Sequence, residues 1–152
     1  MKNSNYKKFG LMMIISFITM YVVMFLNAYE FDHVMLSMTR TYMTLLMVAP
    51  MAISMLLFMR KMYENKKANL IILSFSLLVF SGCLYGLRNQ TGISDIQWMK
   101  AMIPHHSSAI LTSANANFED PEVQQLANDI IEAQEKEISQ MKEMINRLEN
   151  EE

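Results

Sequence analysis

Histidine and methionine meet in one short stretch of this 152-residue chain: Met99, Met102, His105 and His106, with Met141 and Met144 further on. Thioether sulfur and imidazole nitrogen together form the donor set that suits a soft cuprous ion. The 17 methionines of the chain are unevenly placed. Twelve lie between positions 12 and 62, and none lies in the apolar run 68–87, which uses Leu, Ile, Val and Phe instead. A general drift toward methionine would have filled that run too. The competing reading is that methionine is a flexible apolar filler.

The remaining chemistry-bearing residues are few. His33 stands with Glu30 and Asp32 and near Met35 and Met38. It reads either as a solvated loop side chain or as a further ligand. Cys83 is the only cysteine and sits in an apolar run. It can form no intramolecular disulfide and reads as a small buried residue. No Glu-x-x-His pair of the kind found in di-iron bundles occurs in the tail. No catalytic constellation is present, and the chain is expected not to be an enzyme. No basic patch outside the segments flanking the apolar runs suggests nucleic acid.

Two helices would position the His and Met of the tail. Ser94 followed by Gln97 resembles a capping box and opens a helix from Asp95 to about Asn117. Phe118-Glu119-Asp120 is the turn. Asp120 caps a second helix with Pro121 at its first position, continuing to about Glu149. The second helix carries one apolar stripe, Val123, Ala127, Ile130, Ile138, Met141, Ile145 and Leu148, interrupted on the same face by Gln134 and Glu137. On the first, Met99, Met102 and His106 lie within about 60° of each other, and His105 stands at the edge. Folding the hairpin about residue 119 sets His105 and His106 level with residues 132–134, Met102 near Glu137 and Met99 near Met141. The polar interruptions of one helix then face the His and Met of the other. A core histidine bonded to Gln134 or Glu137 is the bland alternative. Pro104 deprives the Lys100 carbonyl of its partner and should bend the helix beside the two histidines.

The residues Trp98-Met99-Lys100-Ala101-Met102-Ile103-Pro104-His105-His106 carry a family likeness. With Ala109-Ile110, Asp120-Pro121, Leu126-Ala127, Ile130-Ile131, Gln134, Glu137-Ile138 and Met141, this stretch resembles the bacterial family called domain of unknown function 305 over residues 90–149. The resemblance implies a ferritin-like helical fold in an extracytoplasmic setting, and copper binding or tolerance as in some members. It places metal ligands on Met99, Met102, His105, His106 and Met141. Longer members carry more helices, so one hairpin would need a second copy or the membrane to cover its apolar face.

The rest of the chain is apolar. Residues 9–29, 42–59 and 68–87 are each long enough to span a bilayer, which takes about 20 residues. The second could begin as a helix from about Val34. The mean hydropathy of +0.14 averages an apolar half and a polar half. The net charge of −2 is uninformative for the same reason. The first run is too long for a signal peptide, and Leu26-Asn27-Ala28 lacks the small residue a cleavage site needs first. Lys2, Lys7 and Lys8 flank the first run and Arg60, Lys61, Lys66 and Lys67 fill the turn between the second and third, whereas the short loop Glu30–Thr41 holds only Arg40. This contrast places the N-terminus in the cytoplasm and residues 88–152 outside, on the same face as His33.

Met43, Met47, Met51, Met55 and Met59 recur every four residues. At about 100° per residue they spiral through an arc of about 160° along one side of a helix. They read as a relay for a soft ion or as packing. Pro50 breaks the ladder midway. Gly82-x-x-x-Gly86 is a close-packing signal.

The expected architecture is all-α: three transmembrane helices over residues 1–89, then an extracytoplasmic helical hairpin over residues 90–152, a ferritin-like half-bundle. The expected function is a membrane-anchored copper protein that holds Cu(I) or Ag(I) for buffering, tolerance or hand-over. The ligand candidates are Met99, Met102, His105, His106, Met141, Glu137 and His33. His with Glu137 could hold zinc or Cu(II) instead. Homo-oligomers and copper-handling proteins are the expected partners, and the bacterial inner membrane the expected location. The alternatives are a transporter component with a methionine relay, and a structural oligomerisation module.

Overall fold

The computed structural model describes residues 2–151. The chain is all-α, with five α-helices and one turn of 3-10 helix among the described residues. These are α1 Lys2–Val23, the 3-10 turn Phe31–His33, α2 Met38–Phe58, α3 Lys66–Arg88, α4 Asp95–Asn115 and α5 Pro121–Glu151. They fall into two compact units. The first holds the chain up to Val23 and Thr39–Gly92; the second holds Met24–Met38 and Ile93–Glu152.

In the first unit, α1, α2 and α3 are each long and apolar enough to cross a membrane. At about 1.5 Å per residue, α2 and α3 reach about 30–35 Å, the thickness of a hydrocarbon core. Their surface inverts the soluble pattern. Ile14, Ile18, Leu70, Ile71, Phe75 and Leu78 are exposed, whereas Arg40, Thr44 and Ser76 are buried. Water would penalise that surface and hydrocarbon would not.

One end of this unit is tied by side chains. Phe9, Ala52, Leu56 and Tyr63 form its core, with Met55 and Met59 packed against it. Asn65 caps α3, its Oδ1 accepting the Lys67 and Ala68 amides at 3.1 Å. The Tyr6 hydroxyl accepts the Asn65 amide at 3.1 Å and donates to Asn69 Oδ1 at 2.8 Å. At the other end, the Tyr42 ring fills the place beside Gly86, where a Cβ would lie 3.1 Å from the ring. The Tyr42 hydroxyl donates to the Thr91 carbonyl at 2.9 Å. Gly86 therefore seats an aromatic ring of its own chain, while a Cβ on Gly82 would meet nothing within 4 Å. The methionine ladder does not line one interior. Met43 and Met47 face outward, and Met55 and Met59 pack against the Phe9 cluster. The lateral cavity of about 610 Å³ between the helices is lined by Met13, Leu45, Ala49, Ala52 and Gly82 among others, and by none of the five ladder methionines.

In the second unit, α4 and α5 pack along one another. Ser94 caps α4 by accepting the Gln97 amide. Asp120 caps α5 by accepting the Glu122 and Val123 amides at 2.8 and 3.1 Å. Met99, Ile103, Ile110, Ile138, Met141 and Ile145 make the core. Residues 24–38, expected to go with the spans, belong to this unit and supply Met35 to its core. Helix α2 starts at Met38 rather than near Val34, because the residues between enter this docked loop. Five polar contacts hold it. Asn27 Nδ2 donates to Ser108 Oγ at 2.8 Å, and the Tyr29 amide to Ser107 Oγ at 2.7 Å. His33 Nδ1 meets Ser107 Oγ at 2.9 Å, Lys142 Nζ meets Asp32 at 2.5 Å, and the Met38 amide donates to Gln97 Oε1 at 2.9 Å. Part of the cover that the sequence reading sought from a second copy or the membrane comes from the loop of the same chain.

Candidate metal centre

The site is built from α4 outward. His106 is buried, and both of its ring nitrogens are engaged. Nδ1 lies 3.0 Å from the Met102 carbonyl, one turn back. A carbonyl only accepts, so Nδ1 carries a proton there. In the neutral imidazole this leaves the Nε2 lone pair for a ligand, the arrangement typical of metal-binding histidines. Nε2 in turn lies 2.6 Å from Glu137 Oε2 on α5. A lone pair and a carboxylate oxygen repel at that distance unless a positive charge lies between them. A proton on the line between them meets that need and makes the contact a short hydrogen bond, whereas a tetrahedral metal ion with bonds of about 2.0 Å to each would need the pair to move apart.

The thioethers stand close by in the fold. Met99 and Met141 are buried in the core cluster, and Met102 packs against it. His105 points elsewhere: it is exposed, its ring centroid 6.3 Å from that of His106 and nearly perpendicular to it. Glu137 is half exposed. His33 joins the same unit but turns to Ser107, with its Nε2 3.6 Å from Glu30. Among the described residues, no three His, Cys, Asp or Glu side chains converge on one point. The nitrogen–oxygen pair of His106 and Glu137 therefore needs thioether donors to become a fuller site.

Sequence reasoning overlooked Ser107. Its side chain is wholly buried and receives both His33 and the Tyr29 amide. The signal was present. Ser107 is four residues after Ile103 and three before Ile110, so it lies on the core stripe, where a polar residue demands a partner.

Comparison with known proteins places this centre in a family. The family model described as domain of unknown function DUF305 matches residues 84–150, which include every ligand candidate except His33, and the chain belongs to this family. It is similar to an uncharacterized protein of Acanthamoeba polyphaga mimivirus, 36% identical over 140 residues, covering 90% of each chain. No solved structure matches.

Proposed function

We propose that this protein is a membrane-anchored metal-binding protein. It holds Cu(I) or Ag(I) through His106 with Met99, Met102 and Met141, and buffers the ion or hands it on. The observation that carries the reading is the anchored imidazole. The Met102 carbonyl accepts a hydrogen bond from Nδ1–H, and Nε2 meets a carboxylate on the other helix of a pair whose core holds Met99 and Met141, with Met102 packed against it. These donors fit a soft ion that tolerates low coordination. Glu137 supports the site, and His105 is free to receive or pass the ion at the surface. The three apolar helices would anchor the site to a membrane, and the lysine asymmetry supports an α4–α5 unit outside the cytoplasm. The curated relative is viral, so nothing in it supports a bacterial inner membrane in particular. No reaction is assigned.

One observation favours a second reading. His106 and Glu137 pair a nitrogen with an oxygen donor, a set that suits Zn(II) or Cu(II) if the ion replaces their 2.6 Å hydrogen bond and the two side chains move apart. The transporter reading draws less support, since Met43 and Met47 face outward while Met55 and Met59 pack against the Phe9 cluster.

Equilibrium dialysis of the full chain in detergent micelles against Cu(I) and a competing chelator tests the proposal. One ion per chain is expected, and His106→Ala and Met102→Leu should each weaken binding by about tenfold or more. Unchanged affinity in both variants ends the soft-metal reading.

A further inference from the structure

The loop that docks on α4 and α5 leaves its largest apolar side chains in the open. Phe31 is 93% exposed, Leu26 74% and Leu36 69%. A 3-10 helix turns three residues per revolution, so successive side chains point about 120° apart. Here His33 points at Ser107 and Asp32 reaches Lys142, which leaves Phe31 the third direction, away from the helix pair. A phenylalanine held so fully in water is costly unless something covers it.

Chain connectivity says what covers Leu26 and Leu36, and Phe31 lies in the loop between them. α1 ends at Val23 and α2 begins at Met38, and both are long and apolar enough to cross a membrane. Leu26 is three residues past the first end and Leu36 two residues before the second. At no more than about 3.5 Å per residue, both stay within about 10 Å of a helix end that meets the bilayer. The Gln97 side chain accepts the Met38 amide within the same unit, and the neighbouring Trp98 is half exposed. An indole at that level is what a membrane interface favours. A soluble partner would have to enter the headgroup layer to reach these residues.

We propose that residues 24–38 form a membrane foot: Phe31, with Leu26, Leu36 and Trp98, inserts into the boundary between lipid headgroups and acyl chains. The foot carries the α4–α5 unit on the membrane surface through the contacts of His33, Asp32 and Asn27. It rests on the membrane-anchored reading above.

The chain has a single tryptophan, so a Trp98→Phe, Phe31→Trp variant reports one position. The full-length variant is reconstituted in phosphatidylcholine vesicles with spin-labelled lipids, the label either near the headgroup end of the acyl chain or at its tip. An insertion of about 5–10 Å predicts quenching by the shallow label about twofold or more above that by the deep one, and protection from aqueous iodide. Free access to iodide without lipid quenching overturns the foot. Protection from both quenchers overturns it as well, because a protein surface then covers the residue. Alkaline carbonate extraction of the same vesicles separates the two layers of the argument. Release of the protein defeats the membrane anchor itself, whereas retention with iodide access defeats the foot alone.

Discussion

The imidazole of His33 and the hydroxyl of Ser107 meet at 2.9 Å across 74 residues of sequence, and both are buried. Burial holds the His33 pKa below its ordinary value, and the charge of Lys142 pushes the same way, against weaker opposition from Glu30 and Asp32. The unfolded chain therefore binds the proton more readily than the folded one. Stability from this contact is whole above the unfolded value of about 6.5 and falls as the pH drops through it. Thermal unfolding from about pH 7.5 to about pH 5.5 should show the wild type losing stability and His33→Gln losing less. Equal slopes for the two proteins would refute the assignment.

Ser107 should matter more than its neighbour. Ser107→Ala leaves the Tyr29 amide and His33 Nδ1 without their shared oxygen, at a cost of about 1–3 kcal/mol. Ser108 meets Asn27 in an exposed bond, so Ser108→Ala should cost about 1 kcal/mol or less. Chemical denaturation of both variants in micelles ranks them, and the reverse order would contradict the docked loop.

The two glycines of α3 should part company. A Cβ at position 86 sits 3.1 Å from the Tyr42 ring, whereas one at position 82 meets nothing. Gly86→Val should displace the ring, break its bond to the Thr91 carbonyl and lower the melting temperature in detergent, at a cost of about 1–3 kcal/mol. Gly82→Ala should melt with the wild type. A Gly82→Ala defect as large as that of Gly86→Val would show that a second copy or a lipid packs at position 82.

Glu137 distinguishes the metals. Glu137→Gln removes the negative charge opposite His106 Nε2 and keeps the shape. Zn(II) or Cu(II) affinity should drop by about 10–100-fold, and Cu(I) affinity, held by sulfur, by much less. His105→Ala should change neither by more than about twofold, since its ring points outward. Isothermal titration with each ion decides between them. A Cu(I) loss in Glu137→Gln equal to the Zn(II) loss would move the ligand set from sulfur to oxygen.

The starts of α4 and α5 were legible because Ser94, Asp120 and Pro121 announce themselves through capping chemistry, whereas the far ends, expected near Asn117 and Glu149, fall at Asn115 and Glu151. The partner of His106 was legible only in outline. A core histidine bonded to Gln134 or Glu137 was one reading of the sequence, and the bond to Glu137 is the one that forms, although level-by-level folding set His106 beside residues 132–134. Side chains on a helix lean toward its N-terminus, so His106 reaches back toward Met102 and Glu137 toward Gln134, and they meet between their own levels. The docking of residues 24–38 was not legible. Contacts that span 74 and 110 residues leave no periodic trace in a sequence. Nor could spacing reveal that the methionine ladder divides between an outer surface and the Phe9 cluster.

The contact between Asp32 and Lys142 has a consequence for biosynthesis. A ribosome adds Asp32 110 residues before it adds the lysine that Asp32 will bind. For that interval the loop has been delivered without its dock. It closes only after α4 and α5 have emerged and come together, among the last steps of maturation. A chain stalled or truncated before Lys142 would lack the Asp32 contact, and a protease should then cut beside Asp32 faster than in the full chain. Cleavage there should report how far synthesis has gone.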